Sequence, residues 1–255
     1  MSDDVDVLRD GSVLRLTFNR PAKKNALTHA MYRRLAAALA EAEADAALRV
    51  VLLSGGSTTF TAGNDLNDFL AAGRDLGPAA EFIAALARAT KPLVAAVNGV
   101  AVGVGATMLL HCDLVYAGRN ASLSFPFLNL GLVPEAGSTV LLPAVVGLRQ
   151  ATKLLYFGDR ISGEEAARLG IATEALDDDQ VQEQALAQAR RLAERPPQAL
   201  ASTRALLRRP LAGLVADALE QERDAFAALL DSAETHEALA AFAEKRPPDF
   251  SKLGR

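Results

Sequence analysis

Two stretches constrain this chain more than anything else in it. Arg49 to Ser54 and Pro92 to Val97 are each almost unbroken in apolar residues, and each gives way to glycine soon afterwards. A strand with one wet face alternates apolar and polar residues. An unbroken apolar run belongs to a strand covered on both faces, which is the signature of a parallel sheet. Parallel neighbours need a crossover between them, usually helical. Asp113 to Ala117 reads as a third such strand and Ser122 to Phe125 as a fourth candidate.

The segments between them fit. Val5 to Leu8 and Val13 to Phe18, split by Asp10-Gly11, predict a hairpin. After the polar loop Asn19 to Leu27, Thr28 stands as an N-cap. Met31, Leu35, Ala38, Leu39 and Ala42 then recur at helical spacing to about Ala46. A short helix follows at Asp68 to Ala72, then a loop from Gly73 to Pro78 and a helix from Ala79 to Ala89. Helix is also expected from Gly105 to about His111. Beyond Ser138 the pattern is mostly helical: Ser138–Val145, Leu148–Tyr156, Gly163–Leu169 and Asp178–Glu194, with one short strand at Ala172–Ala175. After Pro196-Pro197 a helical tail runs to Arg246. Its apolar positions Leu214, Leu219, Phe226, Leu229, Leu230, Leu239 and Phe242 must cover either the chain's own core or a neighbour. The class is α/β, a mostly parallel sheet with packed helices.

With 255 residues, half of them hydrophobic, the chain is near the limit of about 250–300 residues for a single core. A net charge of −4 and no basic block exclude a nucleic-acid footprint. Cys112 is the only cysteine, so no internal disulfide forms. His29, His111 and His236 lack ligand-like spacing and read as surface or packing residues, so no metal is expected. Met1 to Asp4 is acidic without an apolar h-region, and no run reaches the ~18 apolar residues of a membrane span. A soluble, cytoplasmic protein is expected.

Two places carry chemistry. Ala62-Gly63-Asn64 and Gly103-Val104-Gly105 are glycine-bearing turns that enter helices. Their unpaired N–H groups could converge on one oxyanion, or the glycines could simply permit tight turns. A dinucleotide fingerprint fails, because Met108 occupies the third glycine position and Asn120 to Phe125 holds no acidic residue. The phosphate loop and the G-x-S-x-G nucleophile turn are absent. The second place is Phe125 to Ser138, an apolar run ending in the turn Pro134-Glu135-Ala136-Gly137. Either Glu135 is a solvated loop residue, or poor solvation lifts it from ~4.3 toward the ~6–7 of a general base.

In order along the chain, Arg20-Pro21 through Asn25-Ala26-Leu27, Phe60 to Leu66, Ala96 to Gly105, Cys112-Asp113, Gly131 to Pro134, Ala166 to Gly170 and Phe242 to Phe250 resemble the crotonase family of acyl-CoA enzymes, also called the enoyl-CoA hydratase/isomerase family. The resemblance spans about Val13 to Leu253. It implies a crotonase-like spiral of ββα repeats over residues 1–195 and a helical C-terminal trimerisation region over 196–255. It also implies a homotrimer or dimer of trimers, and acyl-CoA thioester substrates polarised by the Asn64 and Val104 N–H groups. Coenzyme A is then part of the substrate, and no separate cofactor is called for. Lys23 and Ala26 match the segment that wraps CoA, and Ala62, Gly63, Asp65, Leu66, Phe127 and Leu132 match further substrate contacts.

The family's hydratases carry two glutamates where this chain has Thr107 and Phe127. What remains is Glu135, and the phrases around it are most similar to peroxisomal-type Δ3,Δ2-enoyl-CoA isomerases, in which a lone glutamate at this position is the base. Phe125, Phe127 and Leu132 are expected to keep water from it. The resemblance also leaves open hydration by another arrangement, isomerisation of a ring-epoxide CoA thioester, and acyl-CoA binding without chemistry.

Overall fold

The computed structural model describes residues 4–72, 76–244 and 246–253. Lys245 and part of the loop expected at Gly73–Pro78 lie outside these. β1 (Val5–Asp10) and β2 (Val13–Phe18) form the expected hairpin, closing with Asp10 opposite Val13. Gly11 supplies the positive φ of 59° that this tight turn needs. The chain crosses over through α1 (His29–Ala44), whose N-terminus is capped by Thr28 Oγ1 accepting from Met31 N at 3.3 Å. It then enters β3 (Val50–Ser54), all five residues of which are buried.

Next come α2 (Leu66–Ala72), α3 (Gly77–Arg88), β4 (Leu93–Val97), β5 (Val100–Val102), α4 (Val104–Thr107), β6 (Leu114–Gly118) and β7 (Ser122–Ser124). After them follow α5 (Ser138–Val146), α6 (Leu148–Phe157), β8 (Ile161–Ser162), α7 (Gly163–Arg168), β9 (Glu174–Leu176), α8 (Val181–Ala193), α9 (Pro197–Leu229) and α10 (Ala233–Ala243).

The larger sheet has the order β1-β2-β3-β4-β6-β9, parallel from β2 onward. Because strand side chains alternate, Val50 and Leu52 face α8 and pack with Val181, Ala185 and Ala189, while Val51 and Leu53 face the main core with Leu35, Phe82 and Leu86. Covering on both faces is why these strands are apolar throughout. The smaller sheet, β5-β7-β8, stands apart. Ser122–Ser124 pairs there with Val100–Val102, so the fourth strand joins a second sheet instead of extending the first.

Two local expectations shift. The helix predicted to run through His111 is one α turn, α4, followed by a 3-10 turn over Met108–His111. The tail is split after Leu229 into α9 and α10. Part of the tail's apolar face packs on its own chain, where Phe226 and Leu230 are buried, while Leu214 stays exposed. Arg204 Nε donates to Asp113 at 2.8 Å, Phe226 meets the Phe69 ring at 6.1 Å, and Thr235 Oγ1 donates to the Gly131 carbonyl at 3.1 Å.

Candidate active site

The site begins where the two glycine turns meet. Thr61 N–H donates to the Val100 carbonyl at 2.9 Å and Val102 N–H donates to the Thr61 carbonyl at 3.1 Å, so the turns lie side by side. Glycine is required by this approach. A Cβ on Gly63 would stand 2.7 Å from the Val102 oxygen, and one on Gly105 would stand 2.6 Å from Thr61 Cγ2. Asn64 follows the first glycine and Val104 opens α4 beside the second. Among the described residues, neither N–H donates to another loop, turn or cap acceptor.

α3 and α9 face each other across a cavity of about 760 Å³, and both Asn64 and Glu135 line it. Its walls are Ile83 and small alanines of α3, opposite Leu211, Val215, Leu219 and Phe226 of α9. Glu135 is half-buried and lines the cavity. Thr107 Oγ1 donates to its Oε1 at 2.5 Å. Burial raises its pKa from 4.5 to about 7, reinforced by the negative charge of Glu222 and partly offset by the Thr107 hydroxyl.

The backbone that presents it is strained: Ala136 has φ 63° and Gly137 φ 68°. His111 Nε2 donates to the Ala136 carbonyl at 2.7 Å. Burial, the largest effect, lowers the His111 pKa to about 4, so the ring is a neutral donor at working pH. Asn64 is held as well, because the buried Tyr32 hydroxyl donates to its Oδ1. Burial first, then the charges of Glu135 and Asp68, keeps that phenol protonated by raising its pKa.

The other residues picked from the sequence are not in the cavity lining. Lys23 is exposed in a 3-10 turn and Ala26 half-buried beside it; Lys24 of the same loop accepts from Ala62 N–H at 2.9 Å. Gly63 accepts from Leu27 N–H at 2.8 Å. The Asp65 carboxylate accepts from Arg20 at 2.6 Å and from the Asn67 and Asp68 N–H groups at the start of α2, where Leu66 is the first residue. Its pKa is lowered, chiefly by Arg20. Phe125, Phe127 and Leu132 belong to the main core. The apolar wall next to Glu135 is instead built by α3 and α9, whose contribution requires tertiary contact and leaves no local motif.

Four partners of the site were not assigned roles from sequence: Tyr32, Thr107, His111 and Glu222. Glu222 left one trace, a carboxylate at helical spacing between Leu219 and Phe226 on the apolar face of the tail. Among the described residues no group of three or more His, Cys, Asp or Glu side chains is placed to hold a metal. None of their helices is long and apolar enough to cross a membrane.

Comparison with known proteins agrees with this architecture. The family model described as enoyl-CoA hydratase/isomerase matches residues 9–253. The chain is 37% identical to a 2,3-dehydroadipyl-CoA hydratase of Escherichia coli (strain K12), covering 96% of this chain and 97% of that one. It is 36% identical to a 1,2-epoxyphenylacetyl-CoA isomerase of the same organism, covering 94% and 95%. The structure of Pseudomonas aeruginosa OdaA superimposes with a TM-score of 0.91 at 47% identity, covering 94% of this chain and 99% of that one. With glycine turns, cavity and sequence in accord, the chain belongs to the enoyl-CoA hydratase/isomerase (crotonase) family, whose enzymes act on acyl-CoA thioesters.

Proposed function

We propose that this protein is an enoyl-CoA isomerase that moves a carbon–carbon double bond from the 3 to the 2 position of an acyl-CoA. The observation that carries the reading is the state of the carboxylates at the cavity. Glu222 spends both oxygens on the Gly137 and Thr139 donors. Glu135 keeps Oε2 free of partners among the described residues and has its pKa near neutrality. A hydratase must activate water and deliver a proton. A 1,3-proton shift needs one base and no water.

The thioester oxygen accepts from the Asn64 and Val104 N–H groups, which stabilise the charge that develops on it. Glu135 removes a proton from C2, and the electron pair delocalises over a dienolate. The same carboxyl returns the proton at C4, leaving the conjugated 2-enoyl thioester. The α3–α9 wall excludes water that would otherwise intercept the intermediate. Lys23 and Ala26, outside the cavity, bind the CoA moiety, Ala62 to Leu66 border the thioester at Asn64, and Phe127 and Leu132 back the site from the core.

Turnover of a 3-enoyl-CoA raises the absorbance of the conjugated thioester, whereas hydration of a 2-enoyl-CoA lowers it. Wild type is expected to raise it, and Glu135→Gln to lose about 10²–10⁴-fold in kcat. Undiminished turnover by Glu135→Gln would sink the mechanism. A second reading, isomerisation of a ring-epoxide CoA thioester, is favoured by the 36% identity to the E. coli epoxide isomerase. The same panel with such a substrate separates the two.

A further inference from the structure

The turn that carries Glu135 is gripped from another part of the chain. Gly137 is the N-cap of α5 and has no side chain to satisfy the first N–H groups of that helix. α9 supplies the missing acceptor. Glu222, 85 residues further on, accepts from Gly137 N–H at 2.6 Å through Oε2. Through Oε1 it accepts from Thr139 N–H at 2.9 Å and from Thr139 Oγ1 at 2.5 Å. Only 6% of Glu222 is exposed. On the other side, His111 fixes the Ala136 carbonyl at 2.7 Å. The two grips hold opposite ends of one peptide unit, Ala136–Gly137; the residues on either side of it are both left-handed, and Ala136 has a Cβ that disfavours that conformation. Released at Gly137, the turn would relax toward right-handed backbone and swing Glu135 away from the cavity.

We propose that Glu222 is a positioning residue for the reaction: its carboxylate, reaching from the C-terminal helix, locks the Ala136–Gly137 turn so that Glu135 is aimed at the substrate. The proposal rests on Glu135 being the base. It makes the docking of α9 a condition for assembling the active site as well as for covering it.

Charge acts in the same direction. Besides Glu222, the titratable or charged groups facing the cavity or the Glu135 carboxyl are Tyr32 from α1, Arg88 from α3, His111 from the 3-10 turn, and Arg208, Glu220 and Arg223 from α9. Of these groups, the Glu222 charge is the one that raises the proton affinity of Glu135.

The test is steady-state kinetics of the full chain on a 3-enoyl-CoA across pH. Glu222→Gln keeps the shape but sets an amide NH2 against an N–H donor and removes the charge. It is expected to lower kcat about 10–100-fold, the loss that follows a displacement of about 1 Å. KM is expected to stay within about threefold, and the acidic limb of the pH profile to move to lower pH, because the like charge is gone. Glu222→Asp keeps the charge, so its limb stays at the wild-type position with a smaller loss of kcat; it carries the test if Glu222→Gln does not fold. Arg204→Ala removes one of the two arginines that tie α9 to Asp113 and leaves Arg208 and Glu222 to hold the helix, so kcat and the limb are expected to stay unchanged.

Wild-type kcat and an unmoved limb in Glu222→Gln overturn the proposal. So does an equal fall of kcat in Arg204→Ala, which would make the effect one of helix docking alone. A dead Glu135→Gln beside an unimpaired Glu222→Gln overturns this proposal only, whereas full activity in Glu135→Gln overturns the base assignment and this proposal with it.

Discussion

Glu135 is pulled in two directions by its neighbours, and magnitudes decide the result. Thr107 Oγ1 at 2.5 Å stabilises the carboxylate, while burial and the Glu222 charge destabilise it. Burial is the largest effect, so the pKa settles at about 7 instead of falling below 4.5. A base acts only when ionised. Turnover is therefore expected to fall as pH drops through about 7 and to level off above it. Thr107→Val deletes the one hydrogen bond that favours the charged form and leaves the volume nearly unchanged. Its acidic limb should move to higher pH, opposite to the shift expected for Glu222→Gln. A pH series of kcat/KM for both variants checks the sign of each contribution. An unmoved limb in Thr107→Val would mean the hydroxyl does not bond the ionised carboxylate.

At the scale of elements, α9 ties distant parts of the chain together. Arg204 reaches Asp113 and the Ala89 carbonyl, and Arg208 reaches Asp113 and the His111 carbonyl, so the segments that lead into β4 and into β6 share one helix as their anchor. Removing one partner of a buried ion pair commonly costs about 3–5 kcal/mol. Here Asp113 keeps Arg208, and among the described residues Arg204 Nη2 has no hydrogen-bond partner. Arg204→Ala is thus expected to cost less, about 2 kcal/mol, measured as a lower urea midpoint at constant m-value. Elements made by local signals were legible in the sequence: α1 has its cap at Thr28 and its stripe from Met31 to Ala42, and the hairpin has Gly11. β5 and β8 were not, because strands of three and two residues carry no period of their own and exist only through pairing with β7. Glu135 was legible through the motif around it. Its wall and its grip were not, since α3, α9 and Glu222 matter only once the chain has folded back.

At the scale of the whole molecule, both faces of the larger sheet are covered within one chain, yet apolar surface remains. Leu148 is 71% exposed, Tyr156 64% and Phe157 65% on α6, and Leu206 and Leu207 on α9 are exposed at 64% and 76%. Monomers rarely leave contiguous apolar patches beyond a few hundred Å² without a partner. α9 cannot turn Leu206 inward, because the face that carries Arg204, Arg208 and Glu222 is already committed to this chain's own loops. A second copy is the partner that the trimer or dimer of trimers implied by the family resemblance would supply. The expected solution mass is then three or six times 26.8 kDa by light scattering. Placing charge on the surface, as in Leu206→Glu with Phe157→Glu, desolvates a carboxylate in each interface and is expected to shift the protein to monomer. The internal grip of Glu222 on Gly137 is unaffected by that change. If association serves only stability, the monomer retains measurable isomerase activity at low temperature. If a neighbour completes the cavity at Leu207, kcat/KM falls with dissociation and recovers when protein concentration is raised. A wild-type chain that runs at 26.8 kDa at all concentrations would refute the assembly.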